Sequence, residues 1–513
     1  MSNRDIVAAI TYHQETKHSY DSVYRSHHFL DWDNQPRPYK LYTNLDPLSL
    51  PQTWPTPNIP ALQALSHTVG ATATLRLPSL TDVAFLLFCA AGVTRRRLFP
   101  GQGEVLFRAA ACTGALYHIE LYLAVTDLPE LPAGLYHFGP VDFALRRLRD
   151  GDQRPILVAA AGYNAALQEA PIILIGTDTF WRNAWKYRAR AYRHTFWDSG
   201  TILANLLAAA NALDLPSQLV AGFADASVNT LLNLDDAREV ATFLVGLGCG
   251  SRVPETVPSI EALHFDTVPL SPEECDYPAI CLMHTASSLD DAQEAAAWKE
   301  DAPPLFSPAA ANRTFALMPD TTVRLPQAAL ETVIRQRGSS RRFAHRPLSL
   351  TQLSNVLIHA TDDIPADFLP TPGTRLNDIY LLVHAVTDLP AGAYLFRVQE
   401  ESLELLQEGD FRHQAGLLAL GQELAADASV NVYFLCDLAL ILEHFGNRGY
   451  RVAQLEAGIL GGRMYLAAYA QGFGATGLTF FDDDVIDFFS PHADGKSVMF
   501  LLAMGYAAKR RWP

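Results

Sequence analysis

Six cysteines in 513 residues are too few and too scattered for a disulfide framework. Charge is scarce as well. Only 18% of residues are Asp, Glu, Lys or Arg, and acids outnumber bases 55 to 39, for a formal net charge of −16. That balance excludes nucleic acid as the main partner, because phosphate backbones are held by clustered cations. It leaves room for a local basic pocket. No uncharged apolar run reaches the roughly 18 residues that a bilayer span requires; the two best stretches, 201–213 and 498–508, fall short. The opening residues MSNRDIVAAITYHQETKH lack the apolar core of a secretory signal. Neither a Gly-rich dinucleotide fingerprint nor a Walker-type loop occurs. Cys275, Cys281 and His284 are spaced C-x5-C-x2-H, which matches no zinc signature, so they read as packing residues and no metal is expected. These absences together lead us to expect a soluble, cytoplasmic protein of a reducing compartment, with no membrane partner.

What the sequence does contain is repetition. At a constant offset of 258 residues, Arg190, Tyr192, Arg193 and Gly200 face Arg448, Tyr450, Arg451 and Gly458. Asp198 faces Glu456, and Phe223 faces Phe481. Upstream, VTDLPELPAGLYHF (125–138) echoes VTDLPAGAYLF (386–396), and LRLPSLTDVAFLL resembles HRPLSLTQLSNVL, with Ser79 facing Ser349. The blocks keep one order, as a tandem duplication would. The chain divides into an extended arm (1–60), a first copy (61–252), a connector rich in Pro, Ala and acids (253–328) and a second copy (329–513). Residues 119–125, 171–175, 379–383 and 430–435 are strand-like, whereas 201–213 and 458–470 are helices apolar nearly all round. Each half is therefore α+β, a central sheet flanked by helices. Helices with no polar face need neighbours on every side, which favours an intramolecular pseudo-dimer over two independent domains.

Three stretches carry candidate chemistry. In IRQRGSSRRFAHRPLSL (334–350), Arg337, Ser339 and Arg341 stand at alternate positions before a helical run starting near Leu350, a pattern suited to phosphate. Lys509, Arg510 and Arg511 at the C-terminus add cations for the same anion if the tail folds back. The first copy has His67, Val69 and Ala71 at the facing positions and could not neutralise a dianion there. In WKYRARAYR, Lys186 and Tyr187 form a pair suited to proton transfer, which becomes His444 and Phe445 in the second copy. Arg190 and Arg193, which recur, read as ion-pair partners of Asp198, as their counterparts would be of Glu456. In RAAACTGALYHIELY (108–122), the small turn Cys112, Thr113 and Gly114 permits close approach of a flat ligand, and no base is placed to make Cys112 a nucleophile. Its counterpart is 370–380. The acidic run 482–484 reads as an exposed turn.

These blocks resemble the nitroreductase superfamily, and within it the SagB-type dehydrogenases, which include azoline oxidases. RxRGSxR followed by SLxxLxxxL is similar to the family's FMN-phosphate motif RRSxR, with Gly338 in place of the second Arg. ACTGALYH resembles its PSAGALYP turn, with Ala111 and Cys112 in place of Pro and Ser. KYRARAYRHTFWDSG resembles the segment whose Lys and Tyr are the catalytic pair of azoline oxidases. The resemblance implies two nitroreductase-like domains and FMN, with Lys186 and Tyr187 catalytic. The cofactor would be held by Arg337, Ser339, Arg341, Cys112, Thr113, Gly114, Lys509 and Arg511, and by backbone groups at Thr479 and Phe480 or near Ala221. Thr479 and Phe480 are favoured because they lie on the phosphate-binding copy. It also implies a small-molecule or peptide substrate and a cyclase partner. Since each copy keeps what the other has lost, one FMN site per chain is expected. The alternatives are a reductase of nitro compounds or quinones fed by NADH or NADPH, and a non-catalytic scaffold.

Overall fold

The computed structural model describes residues 2–26, 28–57, 59–66, 76–99, 103–298, 311–319, 328–369 and 371–508. The strand-like runs assemble into two seven-stranded sheets. In spatial order the first contains Pro47–Ser49, Ala144–Asp150, Gly134–Gly139, Ile119–Val125, Ile172–Thr179, Glu239–Leu247 and Ser217–Val220, antiparallel throughout. The second contains Thr314–Ala316, Ser402–Glu408, Gly392–Arg397, Asp378–Val383, Val430–Cys436, Ser497–Gly505 and Gly474–Leu478, in the same order. The central strands are apolar at successive positions because both of their faces are covered by helices. This is the expected α+β architecture in both halves. Among the described residues no helix is long and apolar enough to cross a membrane; the apolar run 498–508 supplies a central strand instead.

The two all-apolar helices are longer than their apolar runs, Ala191–Ala212 and Arg448–Ala470, and are buried along nearly their whole length. They cross at the matched glycines. A Cβ on Gly200 would lie 2.5 Å from the Gly458 carbonyl carbon, and one on Gly458 would lie 2.7 Å from the Trp197 oxygen. Only glycine allows the two backbones to meet there, and this contact joins the halves as a linked pseudo-dimer. Helices Leu80–Ala91 and Leu350–Ala360 flank the pair. Each opens on a capping box, Ser79 with Asp82 and Ser349 with Gln352.

The segment set apart as an extended arm is not extended at its start. It forms helices Val7–Glu15 and Tyr20–Tyr24 before reaching the edge strand Pro47–Ser49. The prolines that suggested extension all follow residue 35. The connector matches it part for part, with helix Pro278–Ala286 and edge strand Thr314–Ala316.

Four buried arginines tie the halves together, and their partners differ from the expected ones. Arg190 and Arg193 pair with Asp482 of the second half at 3.0 and 2.6 Å. Arg448 and Arg451 pair with Asp225 of the first half at 2.6 and 2.7 Å. The arm and the connector complete the two clamps alike. Arg193 donates to the His13 carbonyl and the Thr16 hydroxyl, and Arg451 to the His284 carbonyl and the Ser287 hydroxyl. Asp482 is therefore not in an exposed turn; it is 1% exposed, at the head of helix Asp482–Phe489, between two guanidiniums. Charges buried this deeply persist only when paired.

Candidate active site

The small turn is built by Asp198, one helical turn past Arg193 and Thr195 on the first long helix. Its carboxylate accepts from the Cys112 thiol at 3.0 Å, the Thr113 N–H at 2.9 Å, the Thr113 hydroxyl at 2.9 Å and His118 Nε2 at 2.8 Å. The other nitrogen of His118 meets Asp178 at 2.6 Å. Burial works against a charged His118, and the two carboxylates overcome it, raising the imidazole to about 9. Cys112, His118 and Asp198 lie close enough to suggest a metal-ligating set, but these donors already fill the Asp198 carboxylate. Burial and Asp198 push the Cys112 thiol well up, and as a hydrogen-bond donor to Asp198 it helps shape the turn. The sequence reading missed this Asp178–His118–Asp198 chain. Its one available signal was the acid kept at 198 and 456: Glu456 likewise accepts from the N–H groups of Leu376 and Asn377 at the matching turn.

Tyr187 closes over the turn. Gly114 has φ +66°, and a Cβ there would stand 2.9 Å from the Tyr187 hydroxyl, so both conformation and space require glycine. Lys186 Nζ lies 5.4 Å from the Tyr187 ring centroid. Burial, and then the field of Arg341, lower the Lys186 amine below its ordinary value. Burial, followed by Asp198 and Cys112, raises the Tyr187 phenol far above its own. Arg341, from the second half, thus contributes to the field at the Lys–Tyr pair of the first. Aromatic contacts continue from Tyr187 to His194 at 4.6 Å, to Trp197 at 4.8 Å and to Phe480 at 6.0 Å.

Arg337 differs from expectation. Its Nε and one Nη donate to the carbonyls of Ala109 and Arg108 at 2.7 and 2.9 Å, strapping the 337–341 segment to the strand that leads into the turn. Only its remaining Nη is left for an anion. The Ser339 hydroxyl lies 3.2 Å from that of Tyr465, and Ser339 bridges to Ala475 beside it. Lys186 and Arg341 make no hydrogen bond or ion pair among the described residues. The Thr479 hydroxyl is buried without a partner, and the N–H groups of Thr479 and Phe480 meet no acceptor among the described residues. Lys509, Arg510 and Arg511, and likewise His67, Val69 and Ala71, lie outside the described residues. Cys275, read as a packing residue, is exposed.

The pseudo-symmetric location is closed by the chain itself. The Asp367 carboxylate accepts from the N–H groups of Ala221 and Gly222, both at 2.9 Å. These are the counterparts of Thr479 and Phe480. Phe445, in place of Tyr187, is fully buried under Trp298, whose indole also lies 2.9 Å from where a Gly222 Cβ would stand. Nothing in the sequence around Asp367 or Trp298 signals this.

The Nitroreductase family matches the chain twice, over residues 85–249 and 334–506. A solved structure, that of a candidate nitroreductase from Anabaena variabilis, is 25% identical with a TM-score of 0.77, over 98% of this chain and 99% of that one. A candidate nitroreductase of Methanocaldococcus jannaschii is 28% identical over 171 residues, 32% of this chain and 86% of its own length. The microcin B17-processing protein McbC of Escherichia coli is 28% identical over 151 residues, 28% of this chain and 55% of its own. The chain thus spans about half the length of this last relative. It belongs to the nitroreductase family, with two family segments in tandem, as the SagB-type resemblance implied.

Proposed function

From membership of that family, we propose that the chain is an FMN-dependent oxidoreductase with one flavin site, oxidising an azoline or similar small ring carried on a peptide. The observation that carries this reading is the opposite state of two matched ends. At one, Lys186, Arg341 and the N–H groups of Thr479 and Phe480 meet no acceptor among the described residues; at the other, Asp367 accepts from the equivalent N–H groups and Trp298 packs beside them. Arg341, Ser339 and the free Nη of Arg337 would hold the phosphate, joined by Lys509 and Arg511. The N–H groups of Thr479 and Phe480 and the Thr479 hydroxyl would hold the polar ring edge, and the turn Cys112–Gly114 would lie along a face of the ring. Bound there, FMN supplies a two-electron acceptor for hydride chemistry.

The chain's own residues supply the rest. Lys186 Nζ, with its affinity for protons reduced by burial and Arg341, is suited to take a proton from the substrate ring. Tyr187 keeps its proton and donates from its hydroxyl, orienting the substrate beside the turn. His118, held charged between two carboxylates, fixes Asp198 and through it the turn. The aromatic wall of His194, Trp197 and Phe480 excludes water.

McbC's role in processing microcin B17 supports a peptide substrate, and a cyclase that forms the ring is the partner this reading implies. The nitroreductase names of other relatives favour a second reading, a nitro or quinone reductase fed by NADH or NADPH. Visible spectroscopy separates the two. Purified protein should show flavin absorption that bleaches without oxygen on adding an azoline peptide. Fast bleaching by NADPH would favour the reductase, and protein that takes up no FMN would leave only a scaffold.

A further inference from the structure

We propose that Arg95, from the first half, is a further cationic contact for the phosphate at the 337–341 segment, so that the anion itself is gripped from both halves. This inference rests on the flavin reading above. Arg95 lies on the hairpin of Val93–Phe99 and Gly103–Arg108, opposite Phe107, with its guanidinium 4.7 Å from that ring. One of its terminal nitrogens is 3.9 Å from where a Cβ of Gly338 would stand. Among the described residues beyond its chain neighbours, the only other atom within 4 Å is the Tyr469 hydroxyl, at 3.8 Å. A side chain at 338 would grow into that space. The bare glycine leaves it open for a guanidinium arriving from the other half.

The hairpin is held in place for this. Arg337 grips the carbonyls of Arg108 and Ala109 at its base, and Arg96, the next residue along, is spent on Glu104 and the Val141 carbonyl. Arg95 has neither a carboxylate nor a carbonyl partner among the described residues. Burial lowers the Arg337 guanidinium from its ordinary value, Tyr465, Tyr117 and Tyr469 oppose that, and the charge of Arg95 adds to the lowering. Arg95 and Arg337 thus flank Gly338 from the two halves, and Arg95 has no counter-charge among the described residues, in a chain of net charge −16. An arrangement of like charges with no counter-charge is stable when an anion completes it, and a phosphate dianion suits several guanidiniums at once. Nothing local in the sequence shows that Arg95, the first of three consecutive arginines, lies beside Gly338.

The test is flavin binding by the full chain stripped of flavin, followed by flavin fluorescence. Riboflavin, which lacks the phosphate, serves as control. Arg95→Ala should weaken FMN binding by roughly tenfold or more while leaving riboflavin unchanged, and Arg95→Lys should recover part of the loss. Arg97→Ala, which removes the same charge two residues further out, should change FMN binding little. Inorganic phosphate should compete with FMN in the parent protein and less well in Arg95→Ala, as expected if one subsite takes phosphate from either source. FMN affinity unchanged in Arg95→Ala would overturn the inference and leave the flavin reading intact. An equal loss for both flavins would also overturn it, by showing a structural effect. A parent protein that binds neither flavin would overturn both.

Discussion

The two places that the repeat relates, around Thr479 and around Ala221, are in opposite states. At the first, N–H groups and a buried hydroxyl face no acceptor among the described residues. At the second, Asp367 accepts from both matched N–H groups, and Trp298 packs beside them. Duplication explains how this arose physically. Once the halves are covalently joined, two sites no longer have to be built from one sequence, and each half is free to lose what the other supplies. An abandoned site with open N–H groups would carry a desolvation cost. On the proposed one-site reading, Asp367 from the neighbouring half removes that cost and makes the unused place part of the interface.

The clamps are where the two halves remain alike, and breaking them should produce the largest effects. Asp482→Asn and Asp225→Asn each leave two buried guanidiniums without their carboxylate and should each cost about 3–5 kcal/mol of stability, read by urea unfolding. A large loss in one and none in the other would break the symmetry. Burial opposes both carboxylates and the arginines overcome it, holding each at about 2. Their contribution is therefore complete above the unfolded value of about 3.9 and drains as pH falls toward 2.

The matched anchors Asp198 and Glu456 differ more. Burial raises Glu456 to about 7, against the hydrogen bonds of Asn377 and Leu376. A folded-state value raised above the unfolded one stabilises at low pH and is lost as pH rises through 7, by roughly 3 kcal/mol in the linkage limit. Unfolding curves from pH 5 to 8.5 should show this decline in the parent protein and not in Glu456→Gln.

At the chemical step the halves should differ completely. Lys186→Ala should keep its flavin and lose about 100-fold or more in turnover, whereas His444→Ala, at the matched position, should be unchanged. Near-normal turnover in Lys186→Ala would remove the Lys–Tyr pair from the mechanism.

Much of this was legible in the sequence. The constant offset exposed the repeat, and the lack of a polar face on the two long helices announced their burial. Gly200 and Gly458 marked the crossing without saying so. Tyr187 and the 112–114 turn, both singled out in the sequence, meet in the structure at Gly114. The ion pairs were misassigned because each arginine passes over its own half's acid to one 223 or more residues away, a choice that only the two-fold packing dictates. Three consecutive aspartates look solvated, and nothing local shows that the first lies between two guanidiniums. Asp367 and Trp298 were unreadable for the same reason: Asp367 acts on the half it does not belong to, and Trp298 reaches from the connector to residues of both halves.

Flavin counted against protein is the most direct measurement of the central claim. Released FMN, quantified by absorbance against amino-acid analysis of the same reconstituted sample, should come to one per chain, and Arg341→Ala should lower it. Two tightly held flavins per chain would mean that the end sealed by Asp367 and Trp298 is open, contradicting the division of labour between the halves.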